Sequence, residues 1–124
     1  MTDMRTILLA EDDKSIAFLI EQKMRLAGYE ISIAKDGEEA LEALKRKVPD
    51  LLLLDIDMPK KNGLEILQAM KKEATLATVP VIVISNSGSP IEVYHFQNLG
   101  VKDYFIKAEL DLEELLKVVR KYLG

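Results

Sequence analysis

The chain has 124 residues, 48% of them hydrophobic and 31% charged, with a formal net charge of −4, a size suited to one compact domain rather than two. The absence of cysteine and the single histidine, His95, exclude disulfides, thiolate nucleophiles, Cys-type zinc sites and multi-histidine metal centres, so any metal must be held by oxygen. With no apolar stretch near the roughly 20 residues a membrane span needs, no signal-peptide pattern and no basic tract, the chain is expected to be cytoplasmic, off the membrane and without direct nucleic-acid contact.

Short apolar runs alternate with amphipathic segments from end to end, the pattern of strand-helix units on a parallel sheet. Predicted strands at 5–10, 30–34, 51–54, 80–84 and 103–106 alternate with predicted helices at 14–27, 37–47, 63–74, 90–99 and 112–123. Ile7-Leu8-Leu9-Ala10 runs into Glu11, Asp12 and Asp13, of which Asp13 is placed to cap the first helix and Gly28 to stop it. Asp36 with Glu39 has the capping-box spacing for the second helix.

The third strand, Leu51 to Leu54, is apolar at every position and so reads as buried on both faces; Asp55 follows directly, then Ile56, Asp57, Met58 and Pro59. Asn62 with Glu65 opens the third helix. Val81-Ile82-Val83-Ile84 ends on Ser85, Asn86 and Ser87, and the next helix starts with Ser89, Pro90 and Glu92 and stops at Gly100. Asp103-Tyr104-Phe105-Ile106 delivers Lys107. Asp111 with Glu114 caps the last helix, where Leu112, Leu115, Leu116, Val119 and Leu123 should face the sheet while Glu113, Glu114, Lys117 and Lys121 stay in water.

If the first and third strands are neighbours, Glu11, Asp12, Asp13 and Asp55 meet at the carboxyl edge of the sheet, where open α/β proteins bind ligands. Carboxylates about 4 Å apart repel by roughly 4 kcal/mol at an effective dielectric near 20, and a divalent cation turns that repulsion into binding. Oxygen donors of this kind select Mg²⁺, Mn²⁺ or Ca²⁺. A phosphoryl group on Asp55 would ask for a metal, a fixed cation and a hydroxyl donor, and Mg²⁺, Lys107 and Ser85 supply them.

These residues resemble, as an ordered set, the receiver domain of two-component response regulators. The run L-L-A-E-D-D-K-S-I is similar to the family's acidic pair, L-L-L-L-D-I-D-M-P-K-K-N-G to its phosphoacceptor loop, V-I-V-I-S-N to its hydroxyl strand and D-Y-F-I-K to its lysine strand. The resemblance implies a doubly wound, flavodoxin-like α/β fold with a five-stranded parallel sheet of order 2-1-3-4-5 and one receiver domain over 1–124, a topology for which the chemotaxis receiver is itself a standard example.

It further implies that Asp55 accepts a phosphoryl group from the phosphohistidine of a histidine kinase or phosphotransfer protein. Asp12 would ligate Mg²⁺ (or Mn²⁺) directly, Glu11 mainly through water and Asp57 by its backbone carbonyl, while Lys107 pairs with the phosphoryl group and Ser85 moves to bond it. Tyr104 would be the aromatic switch, and the fourth helix, fifth strand and fifth helix, with Tyr94 and His95, the readout surface. Such a chain is a signalling domain with intrinsic self-phosphorylation and autodephosphorylation chemistry rather than a turnover enzyme. It would act on a downstream protein or a missing output domain, as a monomer or weak homodimer.

Departures from the pattern lie at Ala108, where the family has proline after its lysine, at Asn86, where it favours a very small residue, and at Asp57 and Ser87, which hold its rate-tuning positions. A cis bond before alanine would cost roughly 2.5 to 4 kcal/mol, so Lys107-Ala108 is expected to be trans. Two rivals remain: a degenerate receiver that docks partners without phosphorylation, and a haloacid-dehalogenase-type phosphatase, which L-L-L-L-D-I-D also resembles. In that rival's pattern the acidic metal motif follows the nucleophile, whereas Glu11 and Asp12 precede Asp55, and Pro59 stands where threonine or valine is usual.

Overall fold

A computed structural model describes residues 4–124. Five parallel strands, β1 (Thr6–Ala10), β2 (Glu30–Ala34), β3 (Leu51–Asp55), β4 (Val81–Ser85) and β5 (Asp103–Ile106), form one sheet in the order β2-β1-β3-β4-β5. The helices between and after them are α1 (Lys14–Leu26), α2 (Gly37–Arg46), α3 (Gly63–Lys71), α4 (Pro90–Asn98) and α5 (Leu112–Leu123). This is the doubly wound flavodoxin-like arrangement expected from the sequence. No helix among the described residues is long and apolar enough to cross a membrane.

Side chains alternate across a strand, so the unbroken Leu51 to Leu54 run feeds two cores at once. Leu52 and Leu54 join Ala40, Leu44, Ile66, Leu67, Met70 and Phe96 under α2, α3 and α4. Leu51 and Leu53 join Ala17, Ile20, Met24, Leu115, Leu116 and Val119 under α1 and α5. All four leucines are fully buried, as their position in the central strand requires. In α5 the predicted stripe holds: Leu115, Leu116, Val119 and Leu123 are buried and Leu112 is half-buried, while Glu113, Glu114, Lys117 and Lys121 are exposed.

The predicted helix starts are all capped. Asp13, Asp36, Asn62, Ser89 and Asp111 each accept from amides of the first turn. Both halves of the box close at Asn62 and Glu65, whereas Glu39 accepts from the Lys35 amide instead of reaching the cap residue. Gly28 and Gly100 take φ values of 97° and 91°, the left-handed geometry expected of helix stops.

Several boundaries differ from expectation, most of them by one residue. The third helix ends at Lys71 rather than near 74; the chain turns extended at Glu73 and makes a separate turn, Ala74–Ala77, which brings Leu76 into the α3 core. Asp55 is the last residue of β3, paired with Ile84, rather than the first residue beyond the strand. A 3-10 turn, Lys107–Glu109, follows β5, and among the described residues no peptide bond is cis, so Lys107-Ala108 is trans as predicted.

Candidate phosphoacceptor and metal site

The chain passes from β1 to β2 on one side of the sheet and then crosses to β3 on the other, so the carboxyl ends of β1 and β3 open a crevice between diverging connections. Asp12, Asp13, Ile16, Asp55, Asp57, Asn86, Lys107 and Ala108 line it. Four connections therefore bring together residues up to 96 positions apart.

Glu11 is held down because its own amide donates to the Ala34 carbonyl at 3.0 Å, prolonging the β1-β2 ladder and burying its side chain. Its Oε2 accepts from the Asp13 amide at 3.0 Å and from Lys107 Nζ at 2.9 Å. Asp12 is exposed at the crevice mouth, while Asp13 is committed to the α1 cap through the Ser15 and Ile16 amides at 2.9 and 3.1 Å. The adjacent acids thus divide into one buried, one free and one structural.

Asp55 is wholly buried. Its Oδ1 accepts from the Asp57 amide at 2.8 Å and its Oδ2 from Lys107 Nζ at 2.9 Å, so one ammonium bridges Glu11 and Asp55. Burial disfavours ionisation of both acids: it pushes Glu11 up to about 7, against the pull of Lys107, and also raises Asp55. For Lys107 the burial works the other way, but the bonds to Asp55 and Glu11 outweigh it and hold the ammonium charged well above its ordinary range.

Oxygens of Glu11, Asp12 and Asp55 lie within 4.8 Å of one another, close enough to share one cation. Glu11 Oε1 is buried with no hydrogen-bond partner, an orphaned acceptor of the kind that calls for a further positive group or water. Three carboxylates against one lysine leave a net negative, all-oxygen donor set, which fits a hard divalent cation such as Mg²⁺ or Mn²⁺.

On the β4 side, Ser85 is fully buried at the strand end. Its hydroxyl donates to Asp57 Oδ2 at 3.3 Å and accepts from the Ser87 amide at 3.1 Å, while the Asn86 amide donates to the same Asp57 oxygen at 3.0 Å. Tyr104 is half-buried, its ring centroid 6.3 Å from that of Phe96 and its hydroxyl donating to the Ser87 carbonyl at 2.7 Å. Tyr94 and His95 are exposed on α4.

Every site residue singled out from the sequence therefore lies in or next to this crevice, apart from the two on α4; Asp13 lines it too, but its side chain is committed to the α1 cap. Sequence reasoning missed the use of the Asp57 carboxylate, which bonds the loop after β4. An acid two residues past a strand carries no local signal for a partner 28 positions away. Lys107 bridging to Glu11 as well as to Asp55 was likewise legible only from strand order.

A family model described as the response regulator receiver domain matches residues 7–120. The transcriptional regulatory protein CpxR of Escherichia coli (strain K12) is 36% identical over 115 residues, covering 93% of this chain and 48% of that protein, so the chain spans about half the length of this curated relative. Chemotaxis response regulator CheY4 of Vibrio cholerae superposes with a TM-score of 0.89 at 26% identity, over 97% of this chain and 99% of that one. The Mn²⁺-bound form of response regulator Rcp1 superposes with a TM-score of 0.79 at 31% identity, over 94% and 90% of the two chains. With its sheet order, its buried strand-end aspartate and a family match running from Ile7 to Arg120, this chain belongs to the response regulator receiver-domain family of two-component systems.

Proposed function

We propose that Asp55 is the phosphoacceptor of a two-component phosphorelay. A carboxylate oxygen of Asp55 attacks the phosphorus of a phosphohistidine on a histidine kinase or phosphotransfer protein. The P–N bond breaks, the imidazole nitrogen takes a proton from solvent, and an acyl phosphate forms on Asp55. The observation that carries this reading is the buried Asp55 with Lys107 Nζ at 2.9 Å beside the orphaned Glu11 Oε1. That arrangement supplies a nucleophile, a fixed cation and a place for a second cation.

Asp12 and Asp55 would hold Mg²⁺, or Mn²⁺, directly, Glu11 through water, and Asp57 by its backbone carbonyl; the fit rests on the clustered oxygens. When bound, the ion supplies charge neutralisation for the incoming phosphoryl oxygens. Lys107 then neutralises a further phosphoryl oxygen. Ser85 exchanges its bond to Asp57 for one to the phosphoryl group, and Tyr104, hinged on the Ser87 carbonyl, follows the loop. That movement alters the face of α4, β5 and α5, on which Tyr94 is exposed. Asp57, Asn86 and Ser87 would tune phosphoryl lifetime, and the same site would self-phosphorylate from small donors and autodephosphorylate.

The protein would work in the cytoplasm as one receiver domain, 1–124, monomeric or weakly dimeric. It would signal to a separate protein or an output domain without touching nucleic acid or membrane itself. Membership of the receiver family removes support from the phosphatase alternative. Retention of the whole constellation, with trans Lys107-Ala108 still aiming the ammonium at Asp55, weighs against a degenerate receiver.

Intact mass after incubation with acetyl phosphate tests the reading. One phosphoryl group should appear with Mg²⁺, be absent with a chelator and be absent in Asp55→Asn. Labelling that persists in Asp55→Asn, or no labelling of the wild type by either acetyl phosphate or a phosphorylated kinase, would refute it.

A further inference from the structure

Asp57 is a further carboxylate lining this crevice, outside the Glu11, Asp12 and Asp55 cluster, and its side chain turns to the loop after β4. One oxygen, Oδ2, collects the Ser85 hydroxyl at 3.3 Å and the Asn86 amide at 3.0 Å, the two donors that close the β4 side of the crevice. The Ser85 oxygen in turn receives the Ser87 amide at 3.1 Å, and the Ser87 carbonyl receives Tyr104 at 2.7 Å. The loop after β4 is thus tied to Asp57 directly at Ser85 and Asn86, and at Ser87 through the Ser85 hydroxyl. That acid is anchored beside the acceptor, its own amide bonded to Asp55 Oδ1 at 2.8 Å.

We infer that the Asp57 carboxylate is a positioning residue that acts as an internal stand-in for the phosphoryl group, latching Ser85 and Asn86 in the resting arrangement until a phosphoryl group on Asp55 outcompetes it. The inference rests on the phosphoacceptor reading and deepens it. The competition follows from chemistry: both are anionic oxygen acceptors for the same hydroxyl, and a hydroxyl has one proton to give. A phosphoryl group beside Asp57 would also repel its carboxylate, so release of Ser85 and departure of the loop from Asp57 are the same event. The resting state is held by charge-assisted hydrogen bonds, and their loss should ease switching.

Fluoroberyllate with saturating Mg²⁺, a phosphoryl mimic, provides the test, by calorimetric titration of wild type, Asp57→Ala, Ser85→Ala and the double variant. Asp57→Ala should bind the mimic about three- to tenfold more tightly, the range set by one or two net hydrogen bonds. With Ser85 already removed, the gain should fall to half or less, since a latch works through the hydroxyl it holds. In ligand-free Asp57→Ala, the Asn86 amide should exchange with solvent several-fold faster than in the wild type.

An equal gain in both Ser85 backgrounds would mean plain charge repulsion and overturn the inference, as would unchanged or weaker binding by Asp57→Ala. Unchanged Asn86 exchange, measured with no ligand, would overturn it independently. A wild type that takes up no fluoroberyllate at all would instead refute the phosphoacceptor reading beneath it.

Discussion

Glu11→Gln should stabilise the metal-free protein at pH 8. Glu11 is 1% exposed, faces Asp55 across a single lysine, and leaves Oε1 unpartnered. Burial lifts its pKa from 4.5 to about 7. At about 1.4 kcal/mol per pH unit, ionising it inside the fold costs on the order of 3 kcal/mol. Glutamine is close in shape and keeps an oxygen for Lys107 and the Asp13 amide, so it removes most of that cost without leaving a cavity.

The expected gain is about 1–3 kcal/mol at pH 8, or about 3–5 °C per kcal/mol in a domain of this size. Because the folded pKa lies above the unfolded one, the native protein holds the extra proton between the two values, and the wild type loses stability as pH rises through roughly 4.5 to 7. Below that window Glu11 is neutral in both states, so the gain should nearly vanish at pH 4.

Urea unfolding with a chelator, at both pH values and with unchanged slope, measures it. In excess Mg²⁺ the gain should shrink, since a ligand at about 100 times its Kd adds about 2.7 kcal/mol to the wild type, which Gln in the donor set forfeits in part. A variant destabilised by more than about 1 kcal/mol at pH 8 in chelator, or an equal gain at both pH values, would refute the account of Glu11 as a strained, metal-poised carboxylate.

Lys107→Met removes the one ammonium shared by Glu11 and Asp55 and should destabilise the chelated protein by about 3 kcal/mol at pH 8. Its raised pKa means this contribution is fully present below the ordinary lysine value and lost only at higher pH, and Mg²⁺ should recover part of it in a thermal melt. Leu53→Ala, at a fully buried position in β3, should lower stability by about 2–5 kcal/mol in urea. Gly37→Ala would drive a Cβ into the Lys61 carbonyl oxygen, forcing the loop before α3 to shift. It should lower stability by about 2 kcal/mol or more and move the amide resonances of Pro59's neighbours.

Much of this molecule is legible locally. Leu51 to Leu54 names its own central strand because only a position buried on both faces tolerates four apolar residues in a row. Asp36, Asn62, Ser89 and Asp111 mark helix starts because a cap is satisfied by amides two or three residues on. The break at Glu73 was not legible, since what ends α3 is the docking of Leu76 on a core built from other segments.

The same division runs through the site. Residue types at strand ends announced Asp55, Ser85 and Lys107, and the ordered motifs announced the family they belong to. Which carboxylate Lys107 would bridge, which acid would lie buried with an orphaned oxygen, and where the Asp57 side chain would turn depended on tertiary structure. The physical reason is range: periodicity and capping act over a few residues and are written in the chain. Contacts across 28, 52 and 96 positions exist only once strand order and register have set them side by side.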